Sequence, residues 1–407
     1  MASGSTGRKS ERMGSLDLLR LVAALAVLFF HYFFHGSYLP PLLVHGYPEA
    51  GSLAIYGYMG VNLFFLISGF VIAWSAEGRN WTEFAAARFA RLYPGFLVCM
   101  TASFVVQTLA ANPTLPYDPS TWAANLFIVA PAFNRPFVDG VYWSIVLEIV
   151  FYGWVAIALF FGVFSRWKLQ LVAAWLLMSV LNESVVHSTA LQMVFITQYA
   201  PFFAGGIIAQ HIVAKGSSTE ALLLLAAAFL LSCKEVTAGA DWMQAHFGFS
   251  PPLSNLLAAN VIVYVLFGGA LVLRRRIAPT PLVLVLGGLT YPLNLLHQKI
   301  GTLWLNALSP AVGRWVALAI VLTALLSASF VISFFIEKAN TQAFDIVAAA
   351  PVEHDGKQTQ AGSAGIDRAS RTDSCIRSCA ASTCRLTSIV SFSSASLNSK
   401  AAGRQPR

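Results

Sequence analysis

The sequence predicts an all-α integral membrane protein, a bundle of about ten transmembrane helices. Hydrophobic residues make up 57% of the 407 residues and charged residues only 11%, against roughly 45–50% and 25% in soluble domains. Apolar runs of about 20 residues, each long enough to cross a hydrocarbon layer of roughly 30 Å, recur from Leu16 nearly to Glu337. A soluble protein does not contain so many apolar runs of this length.

Polar breaks between the apolar runs define the predicted spans. These lie near residues 16–35, 58–76, 94–111, 141–164, 169–187, 190–213, 220–234, 253–273, 281–306 and 312–336. Residues 1–340 are therefore predicted to form one membrane domain. Beyond it the composition changes to Ser, Ala, Arg and Thr without helical periodicity, so residues 341–407 are predicted to be a disordered cytoplasmic tail.

Basic residues set the expected orientation, because Lys and Arg are enriched in cytoplasmic loops. With the N-terminus inside, twelve basic residues of the membrane domain are cytoplasmic: Arg8, Lys9, Arg12, Arg79, Arg88, Arg91, Arg166, Lys168, Lys215, Arg274, Arg275 and Arg276. Four are outside: Arg135, Lys234, Lys299 and Arg314. This bias predicts a multi-pass protein of the inner (plasma) membrane with both termini cytoplasmic. It also explains the net charge of +8 without a nucleic-acid partner.

The first span carries three ionisable residues. Arg20 and His31 are eleven residues apart, which at about 100° and 1.5 Å per residue puts them on one helix face, about 16 Å apart along the axis. Asp17 falls on the same face. Ionisable groups inside a membrane usually face a cavity or a partner, so this stripe predicts a polar channel. The alternative is an interfacial pair of Asp17 and Arg20, with His31 as a packing residue.

The fourth span opens with Trp143 and Ser144 and contains Glu148. Counted from the predicted span ends, Glu148 lies about 10 Å and His31 about 8 Å below the same membrane surface. The two side chains are therefore expected to meet, and a carboxylate beside an imidazole suits a general base. Alternatively, Glu148 pairs with another polar group and Trp143 anchors the membrane interface.

Arg88 and Arg91 lie between the second and third spans, on the predicted cytoplasmic side. Arginines at positions i and i+3 share a helix face and form a fork for phosphate oxygens. The competing interpretation is that they are topology charges, with Pro94 starting the next helix.

Small residues in two spans predict close helix packing in preference to substrate contact. Ser68 and Gly69 lie in the second span, and Gly205 and Gly206 in the sixth. His297 in the ninth span is isolated in an apolar run and is interpreted as a packing residue.

Five stretches in order resemble the acyltransferase-3 family of membrane O-acyltransferases, which modify surface polysaccharides and other acceptors. The stretches are Leu16-Asp17-x2-Arg20-x10-His31, residues 60–72, Arg88-x2-Arg91, Trp143-Ser144-x3-Glu148-x2-Phe151-Tyr152, and Phe335-Ile336-Glu337-Lys338. The resemblance runs along most of residues 15–337. Asn294 stands where the family more often has an aromatic residue, a departure that bears on acceptor specificity.

The resemblance implies transfer of an acyl group, with acetyl the expected case, from cytoplasmic acyl-coenzyme A to a hydroxyl of a glycan or lipid-linked sugar. His31 would be the base or acyl relay and Glu148 would orient it. Asp17 and Arg20 complete the catalytic set, with Arg20 lining the donor path.

The same resemblance assigns binding roles. Arg88 and Arg91 would hold the coenzyme A phosphates. Trp143, Ser144 and Ser68 would contact substrate. No metal is implied, and the five cysteines form no paired metal-ligand pattern.

Two other classes of function fit parts of the sequence. A transporter or flippase would use Asp17, Arg20, His31 and Glu148 as an ion relay, and a structural subunit of an envelope complex needs no site at all. The arginine fork at residues 88 and 91 favours the enzyme, because it serves a donor with phosphates and has no role in a proton relay.

We predict that both termini and residues 79–93 are cytoplasmic, because of the twelve-to-four distribution of basic residues. Reporter fusions at the two ends and near Arg91 should give a cytoplasmic signal, whereas a fusion near Arg135 should give the opposite one. An external signal near Arg91 would reverse the topology.

Overall fold

The computed structural model describes residues 13–38, 42–110 and 118–349, with the backbone alone for residues 336–349. This part of the chain is α-helical and contains no strand. The long helices are α1 (Gly14–Phe29), α2 (Gly60–Ala76), α3 (Trp81–Leu109), α4 (Trp143–Phe160), α5 (Lys168–Leu181), α6 (Ala200–Lys215), α7 (Thr219–Phe247), α8 (Leu253–Leu273), α9 (Pro281–Leu296), α10 (Lys299–Val312) and α11 (Arg314–Ala349). Shorter helical turns join them.

The predicted all-α membrane bundle is confirmed. Nine helical segments in the described residues are long and apolar enough to cross a membrane. Helix α9 is also apolar but has 16 residues, a length of about 24 Å. Helix α11 continues to Ala349, past the predicted domain end at residue 340. The predicted cytoplasmic residues Arg8, Lys9 and Arg12, and residues 350–407 of the predicted tail, lie outside the described residues.

The ninth predicted span, residues 281–306, is wrong as a single helix. Helix α9 ends at Leu296 and α10 begins at Lys299. Helix α10 is bound to the loop after α1, since the Asn306 side chain accepts from Val44 N–H and donates to Leu42 O, both at 2.8 Å. The chain therefore forms two helices here, with residues 297–298 between them.

Helix α3 begins well before the third predicted span, and Pro94 lies inside it. Asn80 caps its first turn by accepting from the Glu83 N–H at 2.8 Å, a cap that favours a helix start at this position. Arg88 and Arg91 therefore lie on one continuous helix, so the predicted i, i+3 spacing on a shared face is confirmed.

Helices α2 and α6 approach each other backbone to backbone. A Cβ atom on Gly69 would lie 2.1 Å from Phe203 O, and one on Gly206 would lie 2.1 Å from Leu66 O. Neither position has room for any side chain, so the predicted packing role of these two glycines is confirmed. Lipid is as apolar as the helix side chains, so no hydrophobic effect drives membrane helices together. Close approach through small residues gives them van der Waals contact instead.

Helix α1 is packed between α2 and α9 in the same way. A Cβ atom on Gly60 would lie 2.5 Å from Ala23 O, and one on Gly287 would lie 2.7 Å from the Asp17 Cβ. The helix that carries the predicted ionisable stripe is therefore enclosed by neighbours that bring their own side chains close to it.

We predict that Gly206→Ala destabilises the protein by about 1–3 kcal/mol, the usual cost of overpacking, because the new methyl group meets Leu66 O. Gly269→Ala is the matched control, since a Cβ there has no atom within 4 Å, and it should be neutral or slightly stabilising. Thermal unfolding of both variants in one detergent measures the difference. Equal midpoints would show that α2 and α6 separate without cost.

Candidate active site

Helix α1 ends in a π turn that sets His31 against His297. Residues Phe30–His35 form this turn, in which hydrogen bonds reach one residue further than in an α-helix. The His31 Nδ1 lies 2.9 Å from Val27 O and 3.0 Å from the His297 Nε2. We call His31 and His297 the histidine pair. Such π turns are frequent at functional sites.

His297 is held in place from the α1 side. It lies directly after α9 and is buried, and Tyr32 OH donates to His297 O at 2.6 Å. A Cβ atom on Gly301 would lie 1.8 Å from that hydroxyl, so glycine at this position leaves the tyrosine its space. The residue next to His31 thus anchors the backbone of its partner.

The loop before α4 is fixed at the same level of the bundle. Asp139 is fully buried, and its Oδ2 accepts from Lys299 N–H at 3.0 Å, at the start of α10. Burial raises the pKa of Asp139 to about 6, against the opposing effect of Lys299. This bond ties the end of the loop to the break between α9 and α10, two residues from His297.

A second polar group surrounds Arg20. Its guanidinium donates to Asp17 Oδ1 at 3.2 Å, and its charge interacts with those of Arg91 and Glu148. We call this group the arginine cluster; its members are Asp17, Arg20, Arg88, Arg91, Glu148 and Tyr152. Along α1 it lies about 16 Å from the histidine pair.

The predicted contact between Glu148 and His31 is wrong. Glu148 Oε1 accepts from Ser68 Oγ at 3.2 Å and from the Tyr152 hydroxyl, whereas the ring partner of His31 is His297. Glu148 thus belongs to the arginine cluster and balances part of its positive charge. Of the alternatives raised by the sequence, pairing of Glu148 with other polar groups is the one found.

The depth estimate failed because it took the start of α4 as the membrane surface, whereas the residues just before α4 reach the level of the histidine pair. Asp139 already lies at the level of the histidine pair, where it meets Lys299. Nine residues separate Asp139 from Glu148, which at about 1.5 Å each carry the carboxylate roughly 13 Å further in, to the level of Arg20. The loop before α4 therefore places the start of that helix deeper in the bundle than the estimate assumed.

Arg88 and Arg91 leave donors available. Neither guanidinium forms an ion pair with a carboxylate of the described residues. Arg88 Nε is buried and donates to no described acceptor, a state that costs about 1–3 kcal/mol when nothing else binds it. Its guanidinium lies over the Phe84 ring at 5.9 Å, and Arg91 is exposed. This end of the cluster can accept an anion.

The predicted substrate contacts at the start of α4 have different surroundings. The Trp143 ring lies 5.4 Å from Tyr199 and 6.4 Å from Phe65, between ring centroids, so it packs within the bundle. Ser144 Oγ donates to Val141 O at 2.9 Å and is used in its own helical turn. Ser68 Oγ donates to Glu148 Oε1 at 3.2 Å.

Three residues near these groups were not predicted as site residues: His297, Tyr152 and Tyr32. Tyr152 follows Glu148 by four residues, a spacing at which helical side chains meet, so a signal was present. His297 carried the signal of an ionisable residue in an apolar run, but its partner His31 lies 266 residues away and no local pattern indicates it. Tyr32 carried no signal, because its contact joins segments 265 residues apart. Within the described residues, no three His, Cys, Asp or Glu side chains are grouped so that they could hold a metal ion.

Comparison with known proteins identifies the family of the chain. Residues 13–337 match a family model described as an acyltransferase domain. The acyltransferase MdmB of Streptomyces mycarofaciens is 35% identical over 153 residues, which cover 35% of this chain and 38% of that protein, so the alignment spans less than two fifths of the relative. No solved structure matches the chain significantly. Because the family match covers most of the sequence, the chain belongs to the acyltransferase-3 family.

Proposed function

We propose that this protein is a bacterial inner-membrane enzyme with both termini cytoplasmic. It moves an acyl group, most simply acetyl, from cytoplasmic acyl-coenzyme A to a hydroxyl of a glycan or lipid-linked sugar. The observation that carries the proposal is the separation of two polar groups along α1. Arg20 of the arginine cluster lies about 16 Å from His31 along the helix axis, and Arg88 and Arg91 of the same cluster form no ion pair in the described residues. This arrangement suits a donor with phosphates at one end and a thioester at the other.

Arg88 and Arg91 are proposed to bind the donor phosphates. The buried, unpaired Arg88 Nε and the exposed Arg91 supply donors on one helix face, and a guanidinium suits phosphate oxygens better than an ammonium does. Arg20 lies deeper, against Asp17, and lines the way toward His31. Glu148 keeps the cluster from accumulating uncompensated positive charge when no donor is bound.

His31 is proposed as the general base. Its free ring nitrogen takes the proton of the acceptor hydroxyl while the hydroxyl oxygen attacks the thioester carbonyl carbon. The carbon–sulfur bond then breaks, and the imidazolium returns the proton to the leaving thiolate. The products are the acyl ester and free coenzyme A, so atoms and charge balance and the imidazole is regenerated.

The acceptor is proposed to enter near Trp143, where α4 begins. The indole packs on the Tyr199 ring, with 5.4 Å between ring centroids, and sites for small ligands are commonly lined by aromatic side chains with a few polar groups. Ser68 and Ser144 have intramolecular partners, so contact with substrate would require them to exchange these bonds.

The ion-relay hypothesis has less support. A relay needs neighbours within hydrogen-bond distance, about 3 Å. Glu148 and His31, two of its four members, bind other groups and not each other. The family to which the chain belongs is one of acyltransferases. Mass spectrometry of envelope glycans from cells with and without the gene tests the proposal, and unchanged acylation of every acceptor would contradict it.

Arg88→Lys should weaken acetyl-coenzyme A binding about tenfold, the factor given by a loss of about 1.4 kcal/mol, because lysine keeps the charge and loses the fork. Calorimetric titration of purified protein measures the affinity. Arg166→Lys is the matched control, since Arg166 is exposed and lies over Trp167. If both variants bind as the parent does, Arg88 serves only as a topology charge.

His31→Gln should reduce acyl transfer by about a hundredfold to ten-thousandfold, the usual effect of removing a positioned base. Acyl incorporation is compared at matched amounts of folded protein. His246→Gln is the control, because His246 is exposed and stacks on Trp242 at the end of α7. Activity of His31→Gln within a few-fold of the parent would remove His31 from the mechanism.

A further inference from the structure

The hydrogen bonds of the histidine pair determine where its protons lie. His297 Nδ1 is 3.1 Å from Leu293 O and 3.0 Å from Asn294 O. Carbonyl oxygens only accept, so this nitrogen carries a proton. In a neutral imidazole the other nitrogen, Nε2, then has a lone pair and is an acceptor.

The same logic continues to His31. Its Nδ1 faces Val27 O at 2.9 Å and the accepting His297 Nε2 at 3.0 Å. Both neighbours are acceptors, so His31 Nδ1 must hold the proton that is shared between them. The His31 Nε2 is therefore left unprotonated. This is the arrangement of two neutral rings in which each close contact has one donor.

We propose that His297 is a positioning residue that holds His31 in the tautomer protonated at Nδ1, so that Nε2 is the atom that takes the acceptor proton. The inference rests on the proposed function and adds a reacting atom and a residue to it. When Nε2 gains a proton, the Nδ1–H bond to His297 stabilises the imidazolium, the role that an orienting partner has beside a catalytic histidine.

The geometry of His297 supports a positioning role beyond simple packing. Tyr32 OH fixes its backbone carbonyl, and Gly301 leaves the space for that hydroxyl. Charged and titratable groups also lie nearby, namely His35 from the π turn, Lys299 from α10 and Asp139 from the loop. None of these three hydrogen-bonds to the ring of His31 or His297 in the described residues, so the tautomer depends on the pair and its carbonyl partners.

Two polar substitutions distinguish the contributions of the two ring nitrogens of His297. Asparagine places its amide near the position of Nδ1, so His297→Asn keeps a donor toward Leu293 O and cannot reach His31. Glutamine extends to the position of Nε2, so His297→Gln offers His31 an acceptor oxygen. If the acceptor is what matters, glutamine should preserve the function and asparagine should not.

The direct readout is the tautomer itself, which needs no acceptor substrate. Nitrogen-15 and carbon-13 NMR of histidine-labelled protein in lipid nanodiscs distinguishes a protonated Nδ1 from a protonated Nε2. The His31 signal is identified by its loss from His31→Gln. We expect Nδ1–H in the parent and in His297→Gln, and a mixture of tautomers in His297→Asn.

The kinetic readout is turnover with acetyl-coenzyme A and an extract of envelope glycans as acceptor. His297→Asn should lower kcat by about ten-fold to a hundred-fold, the range for losing an orienting partner, with the KM for acetyl-coenzyme A unchanged. His297→Gln should stay within a few-fold of the parent. Thermal unfolding of both variants shows whether they are folded.

A His31 protonated at Nε2 in the parent overturns the inference, as does a His297→Asn protein that keeps both the Nδ1–H tautomer and the parental kcat. Equal losses of kcat in the two variants with an unchanged tautomer would show that His297 only fills space. If instead His31→Gln is fully active, the proposed function of His31 fails, while the NMR result still decides the tautomer.

Discussion

Charged and polar side chains inside a hydrocarbon layer must find partners within the protein, because lipid offers none. Helix α1 and the π turn that follows it carry this constraint through the bundle, since together they bear Asp17, Arg20 and His31. Helices α3 and α4 and the residue directly after α9 supply the groups that meet them. The close approach of Gly60 and Gly287 to α1 lets those neighbours come near enough. The close packing around α1 thus brings partners to its polar stripe.

Two departures from regular helix meet where His31 finds its partner. The π turn at Phe30–His35 ends α1, and the break between α9 and α10 leaves His297 between two helices. Irregular backbone at this depth is tolerated only where protein encloses it. Here the Tyr32 hydroxyl donates to the backbone carbonyl of His297, and the Asp139 carboxylate accepts from the backbone N–H of Lys299. In an uninterrupted helix these two backbone groups would be used within the helix itself.

In the proposed function, the separation between the arginine cluster and the histidine pair divides the chemistry into two parts. Anion binding needs positive charge that is open at one end, and we propose that Arg88 and Arg91 supply it. A base for a hydroxyl needs a neutral imidazole, which an adjacent arginine would disfavour as a proton acceptor. A distance of about 16 Å along α1 keeps the two requirements from interfering.

The sequence by itself determined the membrane class, the approximate spans, the helical spacing of Asp17 with Arg20 and of Arg88 with Arg91, and the packing role of the glycines in α2 and α6. Each of these follows from hydropathy or from helical periodicity, which are local properties. Only the tertiary structure decided that Glu148 joins Arg20 and that His31 joins His297. Those pairings depend on how deeply the loop ending at Asp139 enters the bundle and on where α9 stops, and contacts between segments far apart in the chain fix both.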